Sequence, residues 1–288
     1  MASATTHLFP DTGVAIMSSV LGGIVYGFSV LMFIGTIWIF TYNNRIRNVR
    51  VNRPIAAVAT LLFLLSTAHT VVGIIQLEVG LAKYRDTFPG APVSFFADIS
   101  QILVVKDVIY TLQTLLGDGV VIYRCYVVWP SVWVIVLPCM MWCGVAAIGV
   151  CMVYDVSQAS TSAGSVKDAE RWVVVFLAFT LATNLFSSGL LAYRIWMIER
   201  KVSKIRTTKG KKPLLRVLVD SALLYTVSLF PSLICSALSN NGDRIMFDVG
   251  DLVVPIISIA FYMVFIRIAI SQNNQDHVSV VCGGTTGI

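Results

Sequence analysis

Asp107, Thr111, Thr114 and Asp118 follow one another at spacings of four, three and four residues, among Val, Ile and Leu. That spacing puts them on one face of a helix. Lys106 precedes them and Arg124 follows. A charge at the centre of a membrane helix costs on the order of 2.5–3.5 kcal/mol on insertion scales, so such residues face a bundle interior or a water-filled cavity. Carboxylates, hydroxyls and an ammonium on one face can hold a polar ligand, form an ion pair or move a proton.

Other segments offer partners. His69 and Gln76 reach the level of Asp107, and Asp251 opens the last apolar segment beside Asp248. Lys106, Asp107, Thr111, Thr114, His69, Gln76 and Asp251 therefore form a candidate ligand-binding set open to the outer side. A second layer, nearer the other end, comprises Asp118, Arg124, Asp220 and Asn184, with Tyr123, Tyr126 and Tyr225 around it. There Arg124 is expected to latch onto Asp118 or Asp220. A satisfied buried ion pair would explain Lys106 and Asp251 without any ligand, since losing one partner of such a pair is what costs most. HExxH, GxSxG, phosphate-binding glycine loops and Cys/His metal spacings are all absent, so no catalytic motif, metal or cofactor is expected.

These residues must be positioned by a membrane protein. Hydrophobic residues make up 57% of the 288 and charged ones only 12%, against about 25% charged in soluble domains. At roughly 20 apolar residues per crossing, seven spans are expected at about 14–42, 55–77, 98–129, 131–154, 172–198, 214–238 and 247–270. No basic stretch precedes the first, so it reads as a span rather than a cleaved signal. The expected fold is all-α: a polytopic seven-transmembrane-helix bundle forming one domain over 1–270, with a short flexible tail at 271–288. The six cysteines make no CxxC and read as small packing residues.

The basic residues set the orientation. Four arginines lie in 43–53, Arg124 ends span three, nine Lys/Arg lie in 194–216 and Arg267 ends span seven, which is fifteen on one side. Lys83, Arg85, Lys167, Arg171 and Arg244 are the five opposite. The N-terminus is thus expected outside and the C-terminus in the cytoplasm, with the plasma membrane as the expected location. The net charge of +6 follows this topology, so no nucleic-acid partner is expected. The run ERKVSKIRTTKGKKP at 199–213 is suited to anionic inner-leaflet lipids or a cytoplasmic protein.

The stretch GDGVVIYRCYVVW, from Gly117 to Trp129, resembles a large group of fungal, mainly basidiomycete, seven-span membrane proteins without an assigned function. Asp118, Arg124, Tyr126 and Trp129 carry the likeness, which covers all seven spans and implies a fungal membrane protein. The N-out topology, with an Arg at the inner end of span three, also resembles G-protein-coupled receptors. Here, however, the triplet is Tyr123–Arg124–Cys125, and span seven has no NPxxY. The leading expectation is a receptor-like sensor of a small molecule or lipid. A membrane-embedded enzyme, similar in size to fungal terpene cyclases and using Asp107, Asp118, Asp220 or Asp251, is an alternative. A transporter is another, although no repeat of three spans is present.

Overall fold

A computed structural model describes residues 8–47, 53–85, 94–128, 133–158, 163–203, 213–238 and 251–267. Each stretch is a helix: α1 Leu8–Arg47, α2 Arg53–Arg85, α3 Ser94–Val128, α4 Trp133–Gln158, α5 Ala163–Ser203, α6 Pro213–Leu238 and α7 251–267. The tail from 271, the basic run from Lys204 to Lys212 and the side chain of Asp220 lie outside the described residues. All seven expected spans contain a helix. Most run past the apolar stretch at one or both ends, because a helix continues for as long as its backbone bonds can be made. Pro138 and Pro231 lie inside α4 and α6 without ending them; within a bundle, neighbouring groups can re-satisfy the freed carbonyls.

Among the described residues, four helices are long and apolar enough to cross a membrane: Ile16–Thr41, Ile55–Val79, Trp133–Ser157 and Arg171–Ile198. Only 17% of the first of these windows is buried, and 33% of the last. On α1, Met17, Ile24, Leu31 and Trp38 recur every seven residues, and each is more than 60% exposed. Meanwhile Ser29, Thr36, Ser66, His69, Lys106, Gln113, Asp118, Thr180, Thr183 and Asn184 are buried. A water-soluble protein would do the reverse, because exposed apolar area costs about 25 cal/mol per Å² in water. This inverted distribution is that of a membrane-embedded protein, whose outer surface meets hydrocarbon.

The cysteines partly depart from the expected packing role. Cys125 is buried, but Cys139, Cys143 and Cys151 are exposed along α4. In lipid a thiol needs no protein cover, being a small weakly polar group.

Helices adjacent in sequence pack together from α1 to α6, and α3 also touches α5. The main core joins Ala59 and Leu62 of α2, Tyr225 and Leu229 of α6, and Val253, Ile257, Phe261, Tyr262 and Phe265 of α7. Phe33 of α1 stacks on Phe63 at 4.2 Å and lies 5.8 Å from the Tyr262 ring. So α7 closes the ring between α6 and α1 and is buried on nearly every face.

α3 makes polar contacts with four other helices. Lys106 reaches α2, Trp142 of α4 donates to the Leu115 carbonyl (2.9 Å), and Cys125 donates to the Ser187 carbonyl of α5 (3.4 Å). Gln113 Nε2 donates to the Val254 carbonyl and to Ser258 Oγ of α7, at 2.9 and 2.8 Å. Two glycines allow close packing there. A Cβ on Gly149 would lie 2.6 Å from Thr111 Cγ2, and one on Gly117 would lie 2.9 Å from the Phe261 ring. Small residues at helix contacts are how membrane bundles bring backbones together.

Candidate functional site

The polar groups of α3 form two sites. Lys106 and Arg124 are eighteen positions apart, which is about 27 Å of helix. That nearly equals a hydrocarbon core of about 30 Å, so the two sites lie towards opposite faces of the bundle.

The first is an ionic cluster bridging α2, α3 and α7. Lys106 Nζ lies 2.6 Å from Asp251 Oδ1 and donates to Gln76 Oε1 at 3.1 Å. The Lys106–Asp251 contact is an ion pair by distance, while its angle misses hydrogen-bond geometry. His69 Nε2 sits 3.9 Å from the same Asp251 oxygen, beyond hydrogen-bond reach. Asp107, one residue on, has its Oδ2 buried with no partner. Two carboxylates thus share the level of a single ammonium. The structure brings together Lys106, Asp251, Gln76 and His69, and places Asp107 next to them in the chain with an acceptor to spare. α1 passes beside the cluster: a Cβ on Gly22 would lie 3.7 Å from the Asp251 backbone oxygen, an ordinary packing contact.

Down the same face, Thr111, Thr114 and Asp118 all point inward and are buried. The side-chain oxygens of Thr111 and Asp118 have no hydrogen-bond partner, while Thr114 sits beside the Tyr110 and Tyr225 hydroxyls. Asp118 lies close enough to Tyr110 and Tyr225 to interact electrostatically with both phenols.

The second site is a crevice of about 30 Å³, bounded by Arg124 of α3, Asn184 and Ser188 of α5, Tyr225 of α6 and Phe261 of α7. Here the expected latch between Arg124 and Asp118 is absent. Six residues on a helix are about 600°, so the two side chains point about 120° apart. Arg124 instead lies over the Phe265 ring, 4.8 Å from its centroid, and both Asp118 oxygens are unpartnered. Asp220 lies in α6, with its side chain outside the described residues. Asn184 does border the crevice, accepting a hydrogen bond from Ser188 at 3.3 Å.

Sequence reasoning missed Gln113 and Phe265. Gln113 is one position off the Thr114 stripe and looks like part of the same polar face, while a guanidinium over a ring 141 positions away leaves no periodic signal. Among the described residues, no three His, Cys, Asp or Glu converge as a metal site would need.

Fold and sites together define an all-helical membrane-embedded protein with a polar interior. Comparison with protein-family models, curated proteins and solved structures finds no match for the chain.

Proposed function

We propose that the chain is a seven-span, receptor-like sensor of a small molecule or lipid in the plasma membrane, N-terminus outside and C-terminus cytoplasmic. The observation that carries this reading is the buried cluster of Lys106, Asp251, Gln76 and His69, with the surplus carboxylate of Asp107. A ligand presenting a cation or hydrogen-bond donors would pair with Asp107 and compete with Lys106 for Asp251. That would change how α2, α3 and α7 are held together, and a ligand shifts a conformational equilibrium only through such differential contacts. The 199–213 run is the cytoplasmic reporter in this reading, facing anionic lipids or a protein partner. Seven spans are supported by α3 turning its charges inward and by the burial of α7. The orientation is supported by fifteen basic residues against five. A fungal origin rests on the likeness around Asp118–Trp129.

The test is mass spectrometry of small molecules co-purifying with the wild type and with Asp107→Asn. A molecule kept by the wild type and lost from the variant, which still folds, supplies the ligand class. Equal retention of every molecule by both proteins removes Asp107 from the site and defeats the reading.

A further inference from the structure

Among the described residues, Arg124 is a cation without a counter-charge: no carboxylate pairs with it, its only close aromatic contact is Phe265, and one terminal nitrogen is buried without a partner. Arg124 is half-buried, and a charge held partly away from water without a partner is destabilising, so its neighbours should show what is missing. Ser188 occupies Asn184 Oδ1, and Asn184 Nδ2 is left with nothing to donate to. The Tyr225 ring lines the crevice, while its hydroxyl faces Thr114 and Asp118 of α3. Asn184 and Tyr225 are each only 3% exposed. Arg124 and Asn184 therefore both offer hydrogens at one crevice, and among the described residues neither donor has an acceptor.

Water could accept those hydrogens, but it could not balance the guanidinium. An anion does both, and Arg is the side chain whose fork best matches phosphate or carboxylate oxygens. The crevice volume of about 30 Å³ has room for about two water-sized groups, so it admits phosphate oxygens rather than a whole headgroup. Its place in the fold indicates the source. Arg124 is four residues, about 6 Å, from the end of α3. That is the same end of the bundle as the α5–α6 connection, where nine Lys/Arg lie within 194–216. Such clusters concentrate anionic lipid beside a membrane helix.

We propose that this crevice is an anion site that seats the phosphate of an anionic lipid headgroup between α3, α5, α6 and α7. The site is independent of the outer cluster.

The experiment measures thermal unfolding of the full chain in nanodiscs of phosphatidylcholine, of phosphatidylcholine with phosphatidic acid, and of phosphatidylcholine with added inorganic phosphate. Phosphatidic acid should raise the wild-type midpoint by about 3 °C or more, and inorganic phosphate should change it little. Arg124→Gln should unfold at a higher midpoint than the wild type in phosphatidylcholine alone, because the uncompensated charge is gone, and should not respond to phosphatidic acid. Asn184→Leu, which keeps the charge, should weaken the lipid response and serves if Arg124→Gln fails to fold. A variant with Lys204, Lys209, Lys211 and Lys212 changed to Gln should still respond at a higher lipid fraction, which separates the seat from the charged run. An equal response in Arg124→Gln and wild type, or no wild-type response to either anion, overturns the site. A full shift from inorganic phosphate alone overturns the lipid as its source.

Discussion

Buried charges in this bundle divide into those with partners and those without, and the two kinds should respond oppositely to neutralisation. Lys106 and Asp251 are paired, with side chains 9% and 14% exposed. Removing one partner strands the other, at a cost of about 3–5 kcal/mol. Lys106→Met and Asp251→Leu should therefore each lower the unfolding midpoint in detergent, while the double variant should recover most of the loss. Additive losses would show that the pair contributes nothing. Asp118 is buried with neither oxygen bonded, so Asp118→Asn should stabilise, by about 1–3 kcal/mol. A loss of stability on chemical denaturation would reveal a partner for Asp118. From the sequence, Lys106 has two candidate acids, Asp248 and Asp251; the choice depends on where α7 begins, which hydropathy does not specify. The absent latch at Arg124 has a simpler cause: six residues is not a whole number of turns.

At the scale of elements, two of the contacts that hold α3 at mid-height can be tested separately. Against α4, Gly149 admits the Thr111 methyl, with Phe176 also within 3.3 Å of an added Cβ. Gly149→Ala should cost about 1–3 kcal/mol through overpacking, and Thr111→Ser, which removes that methyl, should restore the loss; failure of the rescue would place the strain elsewhere. Against α7, Gln113→Leu deletes both bonds to Val254 and Ser258. It should loosen α7 at a cost of about 1–3 kcal/mol, seen as faster amide exchange around 254–258. Unchanged exchange would mean packing alone holds α7. The number and order of helices are legible in the sequence because hydropathy and length are properties of each segment alone. Which faces meet is not, because on α4 the buried face (Ile135, Val145, Met152) and the exposed face (Val136, Met140, Val150) are equally apolar: lipid and protein core select for the same residues.

For the whole molecule, the inverted surface makes a chemical prediction. Cys139, Cys143 and Cys151 are exposed on α4, yet in a bilayer that exposure is to hydrocarbon, which a charged reagent does not enter. In sealed vesicles, membrane-impermeant charged thiol reagents should leave all three unmodified, and unfolding in SDS should make them reactive. Rapid labelling before unfolding would put that face of α4 against water. The mid-height contacts also have a mechanical consequence. Thr111 is five residues from Lys106 and thirteen from Arg124, or about 7.5 and 20 Å along the axis. A helix pinned there is a lever with unequal arms. Any rocking that moves the ionic cluster by a given amount swings the Arg124 end about 2.6 times as far, in the opposite direction.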